Sequence, residues 1–277
     1  MGGQERGDGR VRPGEMAPRG ICVLTHGING LPDDLDELGA ELRAHGYATR
    51  FLTLPGHGTT IHHFAQTGWE DWLAEVEAAS DAALAEQTGP GARPVFLMGH
   101  SLGAALTLAV AAERPGLAGI VAMCPPVRLS YATEPAMWAL RRVTPFVPAL
   151  GEDIRDVWRR LGPRRPIYRW SSTAAIHSLV RALPGLRRRL PDVRSPALVI
   201  AARHDHVVPV RDGREAHELL GSSYKRLVVL GRSFHAVARD VERHMVFDLA
   251  VRFCDEVVEA WPARPRMESH HEWWTRP

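Results

Sequence analysis

The stretch that decides the fold reads Val95-Phe96-Leu97-Met98-Gly99-His100-Ser101-Leu102-Gly103. Its apolar start is typical of a buried parallel strand, and the apolar segment 104–112 that follows is typical of a helix packed inside the protein. Between them lies a G-x-S-x-G pattern, which places a Ser on a sharp, strained strand-to-helix turn. The two glycines let strand and helix approach without Cβ clashes. The helix N-terminus directs free N–H groups at any charge that forms near Ser101.

Composition bounds the rest of the chain. Its 277 residues can bury a sizeable core in one large domain or in a domain with an insert. The net charge of +2 gives no case for a nucleic-acid partner. No run of about 18 apolar residues is present, so we expect no membrane span. Residues 1–19 lack the apolar segment of a signal peptide, and we predict that 1–19 and 263–277 are tails.

The cysteines indicate the compartment. Cys22, Cys124 and Cys254 are an odd, scattered set, and the first two lie in apolar, strand-like runs. Such a set is not a disulfide framework, and no metal-binding pattern includes it. We therefore expect reduced core residues in a cytoplasmic protein.

Strands alternate with helices along most of the chain, a rhythm that indicates βαβ units and a parallel sheet. The predicted strands are 20–25, 47–54, 95–99, 117–124, 197–202 and 225–230. The predicted helices are 32–45, 69–87, 104–112, 212–220 and 237–261. The sequence therefore predicts an α/β fold whose mostly parallel sheet is flanked by helices.

The rhythm breaks over residues 127–190. This segment has no convincing strand, several helical pieces separated by prolines, three tryptophans and many more arginines than acidic residues. We predict that it is a small helical lid over the sheet edge, inserted between core segments 20–126 and 191–262. Two interpretations of its arginines stay open. They form a solvated helical face with i,i+4 partners, or, with the tryptophans, they contact anionic lipid interfaces or acidic substrate groups.

An acid and a base follow Ser101 in the chain, each in a loop after a predicted strand. Asp205 follows strand 197–202, and His235 follows strand 225–230. A Ser hydroxyl is a poor nucleophile unless a base takes its proton and an acid orients that base. The order Ser, Asp, His with this strand context is far more specific than any one of the three residues.

From about residue 20 to 261 the chain resembles the α/β-hydrolase superfamily, and within it bacterial carboxylesterases and monoacylglycerol lipases with a small helical lid. The matching stretches are HGING at 26–30, LPGHG at 54–58, WEDW at 69–72, GHSLG at 99–103, MCPP at 123–126, ARHD at 202–205 and SFH at 233–235.

The resemblance implies a role for each matching site residue. Ser101 would be the nucleophile, Asp205 the acid and His235 the base. The backbone N–H groups of Ile28 and Leu102 would form the oxyanion hole. One departure is Phe234, because many relatives have Gly before the His; its bulk would tilt the His loop or narrow the pocket.

We therefore expect a serine hydrolase that cleaves short- or medium-chain acyl esters, monoacylglycerols among them, through an acyl-enzyme, without a cofactor or a metal. The expected partner is a small-molecule ester, and the sequence does not indicate an oligomeric state. Two alternatives stay open: an acyl thioesterase that uses the same triad, and a non-catalytic ligand-binding member of the fold. We also expect kcat/KM to fall at acidic pH as His235 becomes protonated.

Other polar and aromatic residues have simpler interpretations. His100 is expected to pack or form a hydrogen bond beside the turn, and His57 is a candidate for the pocket floor. The pairs His62-His63 and His204-x-His206 lack partners at metal-ligand spacing and are expected in solvated loops. Trp69 and Trp72 share one helix face and are expected in the core.

Overall fold

A computed structural model describes residues 17–86, 92–128, 134–149, 153–156 and 168–261. Six parallel strands form the central sheet in the order β2-β1-β3-β4-β7-β8. These strands are β1 (Ile21–Thr25), β2 (Ala48–Leu52), β3 (Val95–His100), β4 (Gly119–Met123), β7 (Ala197–Ala202) and β8 (Lys225–Leu230). The predicted fold class, a mostly parallel sheet flanked by helices, is confirmed.

Helices cover both faces of the sheet. They are α1 (Asp36–Ala44), α2 (Ile61–Phe64), α3 (Trp69–Ala85), α4 (Leu102–Glu113), α5 (Glu134–Val143), α6 (Thr173–Arg189), α7 (Val210–Leu219) and α8 (Arg243–Ala260). One apolar cluster joins α1 and α8 to the sheet, and a second joins α3, α4, α6 and α7 to its other face. Two-sided burial explains why β1, β3, β4 and β7 are continuous apolar runs.

The strand of the opening stretch, β3, lies inside the sheet between β1 and β4. Helix α4 is almost entirely buried, because it lies between the sheet and the helices α3 and α6. An Ala-, Leu- and Val-rich helix suits this place, since no side of it faces water. The turn at Ser101 is therefore held by the most buried part of the molecule.

The insert differs from the prediction in one respect. Two three-residue strands, β5 (Phe146–Pro148) and β6 (Trp170–Ser172), pair antiparallel within it. The expectation of no strand in residues 127–190 is therefore wrong. Strands this short show no period-2 alternation, and each partner is distant in sequence, so the local pattern could not indicate the pair.

The other differences concern helix ends and the described range. The helix predicted from residue 237 begins at Arg243, because residues 236–242 form turns around the Asp240 carboxylate. The helix predicted over 32–45 begins with a 3-10 turn at Pro32–Leu35. The predicted tails fall largely on residues 1–16 and 262–277, outside the described part. Across the described residues, every helix is too short or too polar to span a bilayer.

Candidate active site

Close backbone packing forms the turn at Ser101. Ser101 has φ 56° and ψ −117°, a conformation that L residues rarely adopt. A Cβ added at Gly99 would lie 2.1 Å from the Gly103 carbonyl oxygen, and one at Gly103 would lie 2.2 Å from the Thr25 carbonyl oxygen. Both glycines are thus required for strand and helix to approach, as the sequence pattern indicated.

The structure brings Asp205 and His235 together from two separate loops. Nδ1 of His235 lies 2.7 Å from Oδ2 of Asp205, whose side chain is 1% exposed. The other oxygen, Oδ1, accepts hydrogen bonds from the N–H groups of Val207 (2.8 Å) and Val208 (2.7 Å). Burial would raise the pKa of Asp205, but His235 and these two N–H donors outweigh it and lower the pKa below its ordinary value. Asp205 is therefore an ionised partner that fixes the His235 ring.

Ser101 and His235 line the same cavity, which has a volume of about 500 Å³. Ile28 lines it as well, while Asp205 lies behind His235. Apolar side chains from the insert and from the Asp205 loop make up much of the wall. They are Met137, Leu140, Val147, Ile176, Leu179, Val207 and Val208. A mostly apolar cavity with a few convergent polar groups is typical of a small-molecule site.

The 26–30 loop lies directly against the turn at Ser101. A Cβ at Gly27 would lie 3.1 Å from Ser101 Cβ and 3.3 Å from His100 Nδ1, so a side chain there would push its neighbours away by a few tenths of an ångström. Ile28 follows Gly27 on the cavity wall. Leu102 is the first residue of α4, where a backbone N–H has no carbonyl partner in its own helix. Both predicted oxyanion donors thus belong to segments packed next to Ser101.

Two buried histidines, His26 and His57, lie next to this region. His26 donates from Nδ1 to the Gly27 carbonyl (2.8 Å) and accepts at Nε2 from the Leu54 N–H (3.2 Å), so it links the 26–30 loop to the 54–58 loop. Burial lowers the pKa of His26 to about 4. Burial also lowers the pKa of His57, to about 3, and the nearby His26 contributes to this shift. Sequence reasoning assigned His26 no role, since a histidine's bonds to distant backbone leave no local pattern.

His100 lies where the sequence predicts it, whereas His57 does not. His100 Nε2 donates to the His235 carbonyl (2.9 Å), and the two rings lie 4.7 Å apart, so His100 supports the His235 loop as expected. Burial, with His235 nearby, lowers the pKa of His100 to about 3. His57 packs on Phe64 and Trp72 in the core and does not belong to the described lining of the cavity. Trp72 and Trp69 are core residues, as predicted.

Cys124 lies behind the acid. It directly follows β4, with φ 49°, and its buried thiol forms a hydrogen bond with Asp205. Burial and this carboxylate raise the pKa of the Cys124 thiol. Among the described residues, one group of side chains lies close enough together to share a metal ion: His100, Cys124 and His235. Their polar atoms already form hydrogen bonds around Asp205 and His235. All three cysteines are buried and free.

Phe234 does not narrow the cavity. Its ring packs edge-on against His206 (4.5 Å between centroids), and Arg155 lies over it. Phe234 is not among the described cavity-lining residues, and its N–H donates to Asp240 Oδ2 (2.7 Å). The departure from Gly is thus accommodated on the outer side of the His loop.

Comparison with known protein families matches residues 16–242 to the family described as "Serine aminopeptidase, S33", a family of α/β-hydrolases. The chain belongs to this family. The predicted fold family and the predicted enzyme class, a lipase- or esterase-type serine hydrolase, are confirmed at this level.

Curated relatives and solved structures agree with this assignment. A thermostable monoacylglycerol lipase of Bacillus sp. (strain H-257) is 26% identical over 86% of this chain and 91% of its own length. A carboxylesterase of Bacillus subtilis (strain 168) is 25% identical, covering 85% of this chain and 92% of its own. A solved structure from a study of LipS and LipT, two metagenome-derived lipolytic enzymes, has a TM-score of 0.79 and 27% identity, and covers 87% and 95% of the two chains.

Proposed function

We propose that the protein hydrolyses carboxylic esters of short or medium acyl chains, with Ser101 as nucleophile, His235 as base and Asp205 as the orienting acid. The observation that carries the proposal is the 2.7 Å contact between His235 and Asp205 at the wall of a mostly apolar cavity that Ser101 also lines. The strained Ser101 backbone supports it, because such conformations persist where the surrounding structure enforces them for function.

The geometry suggests a division of labour at His235. Since Nδ1 is engaged by ionised Asp205, Nε2 is the ring nitrogen left to take the Ser101 proton as Oγ attacks the ester carbonyl. The N–H groups of Ile28 and Leu102 stabilise the oxyanion, at about 3 kcal/mol per donor in comparable sites. His235 then protonates the leaving alcohol and activates the water that hydrolyses the acyl-enzyme.

The cavity wall supports an amphiphilic ester as substrate. Met137, Ile176 and Leu179 offer apolar contact to an acyl chain, and Asn29 and Ser171 offer polar atoms on the same wall. A monoacylglycerol combines these two chemistries, and several relatives are named for acting on one. We therefore include monoacylglycerols in the proposal as the preferred substrate class. We also propose a cytoplasmic location, because the three cysteines are free.

A fluorophosphonate probe tests the proposal. We expect one covalent adduct by intact mass, located on Ser101, and none in Ser101→Ala. Ser233→Ala, a buried serine in the same region, serves as the matched control and should still be labelled. Hydrolysis of p-nitrophenyl esters and acyl-CoA compounds, assayed side by side, separates an esterase from a thioesterase. A folded wild-type protein that stays unmodified would refute the catalytic assignment.

The insert supports a second part of the proposal, transient contact with an anionic lipid surface. Trp138 (44% exposed) and Trp170 (51% exposed) present large apolar rings there, and the Arg142 guanidinium lies 3.7 Å from the centre of the Trp138 ring. Exposed aromatic rings next to arginines are typical of interfacial binding. However, Arg128, Arg187 and Arg189 pair with Glu215 and Glu113 of the core helices, so these arginines hold the insert in place.

Vesicle flotation tests the lipid contact. We expect the wild type to float with anionic vesicles more than with neutral ones, and the double variant Trp138→Ala, Trp170→Ala to lose this difference. Met245→Ala is the matched control, because Met245 is equally exposed but lies on α8, outside the insert. Equal recovery of the wild type with both kinds of vesicle would count against the contact.

A further inference from the structure

One residue of the insert contacts both loops that carry the acid and the base. Asp153 Oδ1 lies 2.8 Å from Nδ1 of His206, the residue after Asp205. Asp153 Oδ2 accepts hydrogen bonds from the backbone N–H groups of His206 and His235, both at 3.1 Å. The Asp153 carbonyl accepts a further bond from the Ala236 N–H (3.1 Å). A single side chain therefore bridges the two loops.

The segment around Asp153 is itself held against the base loop. The Asp240 carboxylate accepts hydrogen bonds from the N–H groups of Arg155 (3.0 Å) and Asp156 (2.9 Å) and from that of Phe234 (2.7 Å). Ile154, which lies between Asp153 and Arg155 in the chain, is buried. The backbone that carries Asp153 therefore shares the Asp240 carboxylate with the His235 loop.

We propose that Asp153 is a positioning residue, which holds the His235 backbone at the distance from the Asp205 loop that the triad needs. The inference rests on the proposed function of the triad. It adds a role for the insert beyond covering the cavity, because the insert completes the frame of the two catalytic loops.

The His235 loop needs Asp153 because the two loops are held in place in different ways. Asp205 is fixed within its own loop by the N–H groups of Val207 and Val208. His235 has one bond within its own loop, from the Val237 N–H to its carbonyl (2.8 Å). Its other partners lie on other segments: the ring on Asp205, the carbonyl also on His100 and the N–H on Asp153. The Asp153 side chain is only 14% exposed, so water replaces its bonds poorly when they are lost.

The experiment compares Asp153→Ala with Asp153→Asn, in the full-length protein at pH 8. Asn keeps one carbonyl oxygen for the two backbone N–H groups and offers an amide group to the His206 ring, whereas Ala keeps neither. A misplacement of about 1 Å can cost about a hundredfold in rate. We expect Asp153→Ala to lower kcat about 10- to 100-fold with KM changed less than about threefold, and Asp153→Asn to stay within about threefold of the wild type.

Two further measurements separate positioning from general loosening. The rate of fluorophosphonate labelling of Ser101 should fall in Asp153→Ala in parallel with kcat. Glu134→Ala is the matched control, because Glu134 pairs with His177 inside the insert and contacts neither loop. It should keep the wild-type kcat. If Asp153→Ala does not fold, Asp153→Ser decides, because its single, shorter side-chain oxygen does not reach both loops: a lower kcat at unchanged KM supports the role, and wild-type values overturn it.

The outcomes also separate this inference from the proposed function. An unlabelled, inactive wild type would refute the function itself. A reactive wild type with an equally reactive Asp153→Ala would overturn only the positioning role. Equal losses in Asp153→Asn and Asp153→Ala, or in Glu134→Ala and Asp153→Ala, would overturn it as well, because backbone alignment would then not be the cause.

Discussion

Ser101 is held in a conformation that costs of the order of 1–3 kcal/mol for a residue with a side chain. Its N–H donates to the Met123 carbonyl (2.9 Å), and its own carbonyl accepts from Ala104 (3.0 Å) and Ala105 (3.1 Å). These bonds tie one residue to the next strand and to its own helix. The strain persists because relaxing it would break bonds inside the core.

At the same scale, Asp205→Asn tests the acid. The variant keeps the shape of the side chain but removes the charge that stabilises protonated His235. If its carbonyl oxygen keeps the bonds from the Val207 and Val208 N–H groups, its NH2 group faces Nδ1 and cannot accept the Nδ1–H. We expect kcat to fall about 10³- to 10⁴-fold, as for the equivalent change in other Ser-His-Asp sites. Asp248→Asn is the control, since Asp248 forms an exposed i,i+4 pair with Arg252. Steady-state ester hydrolysis measures both, and an Asp205→Asn variant of wild-type kcat would contradict the assignment.

Gly27→Ala tests the oxyanion loop. The new Cβ would lie 3.1 Å from Ser101 Cβ, so the loop must shift away from the turn by a few tenths of an ångström. We expect kcat to fall about 10-fold or more, since one misplaced oxyanion donor can cost 10²- to 10³-fold. Gly116→Ala meets only ordinary contact with Leu84 and should change neither rate nor Tm. An unaltered kcat in Gly27→Ala would show that the loop does not hold the donor.

At the scale of elements, helix α6 joins the insert to the core. Its N-cap Ser172 side chain accepts from the Ala175 N–H, and its buried Leu179, Leu183 and Leu186 belong to the same apolar cluster as α4. The basic turn at its C-terminus interacts favourably with the helix dipole. The insert is therefore anchored by a helix that packs like a core helix.

Replacing each of two helical glycines by alanine should have opposite effects on stability. A Cβ at Gly185 of α6 meets nothing within 4 Å, whereas one at Gly213 of α7 would lie 2.7 Å from the Ala201 Cβ in β7. We expect Gly185→Ala to raise the free energy of unfolding by up to about 1 kcal/mol, because Ala loses less backbone entropy in a helix. Gly213→Ala should lower it. Urea unfolding measures both, and the same sign for the two variants would contradict the packing described.

At the scale of the whole molecule, burial of neutral histidines makes the fold sensitive to acid. Burial lowers the pKa of His26 to about 4 and the pKa values of His57 and His100 to about 3. Their ordinary value in the unfolded chain is about 6.5. Below that value the unfolded chain binds protons that the native protein excludes, so native stability falls as the pH falls from about 6.5 toward 4.

We therefore expect the free energy of unfolding to be lower at pH 5 than at pH 7, by up to about 2 kcal/mol for each of the three histidines. Urea titrations at the two pH values measure the difference. His57→Phe, which keeps a ring against Phe64 and Trp72, should remove about a third of it. His45→Gln, a change at an exposed side chain, should leave it unaltered. A free energy of unfolding that does not change between pH 7 and pH 5 would contradict the histidine account.

Much of the core was predictable because its signals are local. Strands β7 and β8 have their predicted bounds, since continuous apolar runs end at turn residues. Local patterns could not show the β5–β6 pair, the late start of α8 or the bridge from Asp153, because each depends on partners far away in the chain. The boundaries of the lid, 127–190, stay a prediction.

The sequence by itself determined the order along the chain of the six strands of the central sheet, the turn at Ser101 and the loops that carry Asp205 and His235, because spacing and apolar periodicity act over a few residues. Only the tertiary structure decided that Asp205 meets His235 at 2.7 Å, that Gly27 packs on Ser101 and that Asp153 accepts hydrogen bonds from the Asp205 and His235 loops. These contacts join residues up to 82 positions apart. They exist because the parallel sheet brings the carboxyl ends of its strands to one edge.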